Sequence, residues 1–409
     1  MNDPVRSPDI TTSLPPQIRP PKTRSQPGFS RTGLLFLALG VAGLCLPLVQ
    51  FKANRIVLGE GFLLPAALPD VGWAIALLLA LILGTALWQR LPLMPRLGLA
   101  LLGLAGTVLA LGFAAKGLVP QGNTIARAAP AAGFWLLCLT FALMAADALS
   151  RMGLSRPARW LALGLSLALI ALCLGSGVLD QTSVMVEYAA RADLFRRSLG
   201  QHLTLAFGSL AMALVVGLPI GIAIFLTPAL RRGVLGALNL LQTIPSLALF
   251  GIMIPIFGWI AANVPGAAQI GVAGIGIFPA LMALFFYALL PVVSNTLVGL
   301  TAVDPAVRDA AFGLGLTRRQ VLLQAELPLA LSVILAAVRI VLVQNIGLAV
   351  IAGLIGGGGF GSFVFQGLNQ TAMDLILLGA LPTIMLALVA GVALDLLVEA
   401  VSPKKGNQT

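Results

Sequence analysis

Charge is scarce in this chain. Asp, Glu, Lys and Arg make up 10% of its 409 residues, against about 25% in an ordinary soluble domain, so most of the sequence cannot form a water-soluble globule. Histidine occurs once and cysteine three times, which leaves no His/Cys/acid cluster of metal-site spacing. Cys45, Cys138 and Cys173 all fall within apolar runs and read as small buried hydrophobes rather than a disulfide framework. No G-x-x-x-x-G-K-[ST] occurs, so the chain has no loop of the usual kind to cradle ATP phosphates.

Apolar sequence is abundant. Hydrophobic residues make up 59%, in runs long enough to cross a bilayer. Ten spans are expected near 33–50, 71–88, 97–115, 132–149, 160–178, 203–226, 235–257, 275–300, 329–355 and 375–398. The net charge of +11 does not indicate nucleic acid, because the basic residues are spread over short loops instead of one face. With ten spans and the N-terminus inside, 17 of the 25 Lys and Arg fall on the side of the termini, 7 fall outside, and Arg339 lies within a span. That asymmetry fits the positive-inside rule and places both termini and residues 304–328 in the cytoplasm. Residues 1–32, rich in proline, read as a disordered cytoplasmic tail, and 401–409 as a C-terminal cytoplasmic tail.

The polar segment Asp304–Pro328 carries its own folding signals. Asp304 suits an N-cap and Pro305 the first helical turn. A helix can run through Ala310, Ala311 and Phe312 until Gly313 and Gly315 weaken it. Thr317 and Gln320 have capping-box spacing and open a second helix that returns to the bilayer. The expectation is a short helix–turn–helix on one membrane face, packed against something else because helices this short are marginal in water.

The same segment resembles the signature loop of ATP-binding-cassette importer permeases: Glu-Ala-Ala, three residues, Gly, nine residues, Ile-x-Leu-Pro. Here Asp309-Ala310-Ala311, Gly315, Ala325 and Leu327-Pro328 stand at that spacing, with Asp in place of Glu and Ala in place of a larger apolar residue. Three further stretches are similar to permeases for glycine betaine, carnitine and choline: Gln242–Pro255, Tyr287–Leu300 and Ile351–Gly361. Val343-Gln344-Asn345 departs from the Trp-Thr usual near the ninth span of that group.

The resemblance implies an all-α, polytopic membrane protein of about ten transmembrane helices, with a type I ABC importer permease core over 203–400. Residues 33–180 would form an accessory block of about five helices, joined through an extracytoplasmic connector, 181–202. The chain would not be an enzyme and would bind no cofactor directly; a separate ABC ATPase subunit would hydrolyse the ATP. The implied partners are two ATPase subunits, a second permease subunit in a homo- or heterodimer, an extracytoplasmic substrate-binding protein and the lipid of a bacterial inner membrane, with no nucleic acid. The implied solute is an osmoprotectant of the glycine betaine or choline type, the alternatives being another small solute such as an amino acid or, in a different class, an ion-coupled secondary transporter. ATPase coupling falls to Asp309, Ala310, Ala311, Phe312, Gly315, Leu327 and Pro328. The candidates for a solute path are Gln242, Asn295, Arg339, Gln344 and Asn345.

Other features have quieter readings. Gly356, Gly358 and Gly361 satisfy G-x-G-x-x-G, but no strand precedes them and Leu381 stands near the expected acid position, so a close-packed turn is expected in place of a dinucleotide site. His202 reads as a polar residue at a span boundary. Pro245 and Pro255 in the seventh span and Pro291 in the eighth would permit kinks, and Gly217 and Gly221 would permit close helix approach. Arg339 near mid-span either faces the solute path or pairs with Asp395 or helix carbonyls.

Overall fold

The computed structural model describes residues 30–54, 59–88, 90–120, 122, 123 and 125–401. The tails expected over 1–32 and 401–409 lie almost entirely outside the described residues. The chain is built from helices, eight of them long and apolar enough to cross a membrane among the described residues. Two more apolar helices, Arg31–Leu44 and Gly72–Thr85, have 14 residues each, a rise of about 21 Å at 1.5 Å per residue. That falls short of a hydrocarbon core about 30 Å thick.

The first half contains these two helices together with Leu93–Leu118, Ala132–Arg151 and Arg156–Gly175. Ser30 caps the first of them, its hydroxyl accepting from the Gly33 amide at 3.0 Å. That helix stops well before residue 50, because the chain turns into a strand. Strand β1 (Val49–Lys52) is the centre of a small antiparallel sheet, with β2 (Glu60–Phe62) on one side and β3 (Arg127–Pro130) on the other. The register sets Val49 opposite both Phe62 and Pro130. Cys45 is exposed at the helix end before this sheet, contrary to the expected burial, whereas Cys138 and Cys173 are partly buried.

The second half holds the helices Ala192–Leu226, Pro228–Thr243, Ser246–Asn263, Ile277–Thr301, Leu327–Leu348 and Met373–Val401. Its core is the apposition of Ala192–Leu226 with Ile277–Thr301. A side chain at Gly217 would place Cβ 2.7 Å from Val292 Cγ1, and one at Gly221 would place it 2.6 Å from Thr296 Cβ. Here the spacing of the two glycines is a packing requirement. Pro219, Pro255, Pro291 and Pro382 lie inside helices, each removing one donor from the backbone ladder.

Three expectations need correction. The span drawn at 235–257 is two elements: an amphipathic helix, Pro228–Thr243, and a separate apolar helix from Ser246. Pro245 is therefore the N-cap of the second helix and not an internal kink. His202 lies at no helix end; it is fully buried in the third turn of the 35-residue helix Ala192–Leu226. The stretch 181–202, expected as a connector, holds Ser183–Ala190 and the start of that long helix.

Candidate functional site

Asp304 caps the helix Pro305–Gly313, its carboxylate accepting from the Ala306 amide at 2.9 Å. The helix ends in a Schellman turn: Gly315 donates to the Phe312 carbonyl at 2.9 Å and Leu316 to the Ala311 carbonyl at 3.2 Å. Gly315 has φ +82°, a left-handed conformation that glycine adopts without strain. Thr317 and Gln320 then form the expected capping box, Gln320 Oε1 accepting from the Thr317 amide at 2.8 Å. The second helix, Arg318–Val321, passes through a π-turn at Leu322–Glu326 into the membrane helix Leu327–Leu348.

The turn has an inner and an outer face. Ala311 and Val321 are buried beneath it. Asp309, Ala310, Phe312 and Gly315 face outward, and two large apolar side chains at the turn are strongly exposed, Phe312 at 42% and Leu314 at 83%. Leu327 is half-buried and Pro328 exposed where the chain re-enters the bundle. A rigid, capped turn that offers apolar side chains beside an unburied acid is suited to docking on another protein.

A group missed in the sequence holds this turn in place. Glu326 is 0% exposed. Its Oε1 accepts from Arg308 Nε at 2.5 Å and Arg318 Nη1 at 3.0 Å. Both guanidinium groups lie over the ring of Phe225, at 5.7 and 5.5 Å from its centroid, within cation–π range. One carboxylate thus ties the exposed helix, the start of the next membrane helix and the end of Ala192–Leu226 together. The available signal was an acid abutting an apolar run, with three arginines in the same short segment.

The five solute-path candidates share no hydrogen bond or ion pair with one another among the described residues. Gln242 donates to the Tyr287 carbonyl at 2.9 Å, while the Tyr287 hydroxyl bonds the Ile244 carbonyl, pinning the end of the amphipathic helix. Asn295 donates to the Pro291 carbonyl of its own helix at 2.8 Å. Asn345 is fully buried and donates to Ser209 Oγ at 2.8 Å, and Gln344 beside it is half-buried. Arg339 pairs with Asp395, as one of its two readings held. Asp395 also accepts from Arg159 at 2.9 Å, and Arg159 reaches Glu399 at 2.7 Å, so the pair belongs to a chain of charges linking the two halves.

At the other end of Leu327–Leu348 lies the glycine turn. Gly356, Gly358 and Gly359 have positive φ, and a Cβ on Gly361 would fall 1.8 Å from the Val350 carbonyl oxygen. The Gly359 amide donates to Gln201 Oε1 at 3.0 Å, and His202 stacks on Phe360 with centroids 5.0 Å apart. His202 Nε2 donates to the Ile346 carbonyl at 3.1 Å. These contacts describe a close-packed plug of backbone and leave no room for a phosphate cradle.

A bundle of membrane helices with one capped, acid-bearing helical turn exposed at its end is the arrangement that the resemblance implies for a permease driven by a separate subunit. Residues 203–407 match the family described as binding-protein-dependent transport system inner membrane component, and residues 30–185 match the ABC transporter permease YehY, N-terminal domain. The chain belongs to the binding-protein-dependent ABC permease family. It is a multi-pass inner-membrane protein and the non-catalytic permease subunit of an importer, whose class works with an ATPase and a binding protein. The ion-coupled alternative falls with that match. Among its relatives, the osmoprotectant import permease protein OsmW of Salmonella typhimurium is 40% identical over 50% of this chain and 90% of its own length. The carnitine transport permease protein OpuCB of Listeria monocytogenes is 38% identical over 50% of this chain and 86% of its own. The choline transport system permease protein OpuBD of Bacillus subtilis is 34% identical over 57% and 95%.

Proposed function

We propose that this permease imports small quaternary-ammonium osmoprotectants of the glycine betaine, carnitine and choline class. The observation that carries the reading is that relatives named for carnitine, for choline and for osmoprotectants are 34–40% identical to this chain over 86–95% of their own length. In this reading Asp304–Pro328 faces the cytoplasm, in keeping with the basic residues gathered on that side. The exposed Asp309, Ala310, Phe312 and Gly315 dock in the ATPase, while Ala311, Leu327 and Pro328 seat the turn. Two permease subunits enclose the path, an extracytoplasmic binding protein delivers the solute, and both termini are cytoplasmic. Residues 33–180 act as an accessory block, 203–400 as the transporting core.

The test is uptake of radiolabelled glycine betaine, carnitine and choline by cells carrying the complete importer, with methionine and histidine as amino-acid controls. Saturable uptake of at least one of the three, abolished by deletion of this subunit, supports the assignment. Amino-acid uptake without any of the three would overturn it.

A further inference from the structure

Glu326 has a chemistry that simple loop anchoring does not require. A buried carboxylate is costly unless fully paired, and an apolar residue at this position would pack at less cost. Its Oε1 receives both arginines, whereas its buried Oε2 has no hydrogen-bond partner among the described residues. An acceptor therefore remains open beside two flat, multidentate donors that rest on one aromatic ring. The guanidinium groups can slide on Phe225 and exchange carboxylate oxygens without separating the charges. The carboxylate also lies in the π-turn Leu322–Glu326, a helical irregularity that frequently marks functional sites. Directly beyond it begins Leu327–Leu348, the helix that runs to the glycine plug.

We propose that Glu326 is the positioning residue of energy coupling: a charged pivot that obliges Leu327–Leu348 to follow the Pro305–Gly313 helix when the ATPase moves it. Arg308 and Arg318 are its two levers and Phe225 its bearing. The proposal rests on the docking of Asp304–Pro328 on an ATPase, and adds the path by which that displacement enters the membrane.

The test uses the complete importer in proteoliposomes, with Glu326→Gln, which keeps shape but removes charge, and Arg308→Gln, which touches only the half-exposed lever. Glycine betaine uptake per ATP hydrolysed should fall about tenfold in both variants, a loss within the 5–150-fold range of ordinary site-to-site coupling, with any loss of retained ATPase the smaller effect. Proportional loss of uptake, hydrolysis and retained ATPase would reveal a merely structural anchor and overturn the proposal, as would an unchanged ratio. A second measurement is independent of the solute. Spin labels at Ala306 and Ile340, in a chain with Cys45, Cys138 and Cys173 replaced by alanine, report whether the two helices move together. On ATP binding their separation should hold constant in the otherwise unaltered chain and change in Glu326→Gln; equal behaviour in both refutes the pivot. If glycine betaine is not taken up, the solute assignment fails alone and the labels still decide. If no ATPase is retained by the unaltered chain, the docking reading and the pivot fall together.

Discussion

Substitution at Gly315 separates backbone conformation from side-chain contact at the exposed turn. Its φ of +82° lies in the left-handed region, and a Cβ built there would meet nothing within 4 Å. Any penalty is consequently conformational and not a clash. For an L-residue that penalty is about 1–2 kcal/mol, equivalent to about 5–30-fold in an equilibrium at 1.4 kcal/mol per decade. If docking requires the Schellman turn, Gly315→Ala should weaken ATPase binding by up to that factor. Gly315→Val should weaken it more, because branching at Cβ worsens the left-handed conformation. Gly315→Asn should lose least, since Asn visits this region readily. The assay is the affinity of the purified ATPase for the permease in nanodiscs, with membrane insertion confirmed for each variant. Equal losses for Asn, Ala and Val would refute the conformational account, and an unchanged affinity for Val would refute the docking role of the turn.

Asp309→Lys reverses the charge on the outward face and should lower ATPase retention about tenfold, within the range of interfacial charge effects; retention equal to that of the unaltered chain would show that this face is not the docking face. The chain purified free of ATPase should neither bind nor hydrolyse ATP, since it has no phosphate-binding loop, and saturable hydrolysis by such a preparation would contradict this. Asp395→Ala should lower thermal stability in nanodiscs by up to about 3 kcal/mol, the scale of an unpaired arginine in a span. Arg339→Ala should cost less, because Asp395 keeps Arg159 at 2.9 Å; the reverse order would disprove the pairing argument. A chain begun at Val184 behind a new leading helix should still retain the ATPase, at reduced thermal stability, and failure to do so despite correct insertion would show that the first half is no mere accessory.

The turn at 304–328 was legible because its determinants are local. Asp304, Pro305, Gly315, Thr317 and Gln320 act within four residues of their partners, a range that sequence spacing encodes directly. Glu326 was not legible as a hub, because Arg308 lies 18 residues away and Phe225 belongs to another helix. The break at Pro245 was missed for a different reason. Hydropathy averaged over 235–257 joins the apolar face of an amphipathic helix to a true span, although Asn239 and Gln242 within it signalled the difference. The sheet escaped notice because its strands have three or four residues and β3 pairs with a partner far back in sequence. Among the solute-path candidates, the sequence could mark polar side chains within apolar runs but could not show that Gln242, Asn295, Arg339 and Asn345 are engaged in separate bonds.

The first half and its connecting helix reach the core at both ends of one helix, with Tyr188 also packed edge-on against Phe195 of Ala192–Leu226. At one face Val184 and Tyr188 of the short connecting helix pack with Leu375 and Leu378, near the start of Met373–Val401. At the opposite face Arg159 grips Asp395 and Glu399 near the end of that same helix. A block tied at both ends to one mast follows that mast more closely than its neighbours. Relatives align over 90% and 95% of their own length with only 50% and 57% of this chain, so permeases of this kind are built at about half its length.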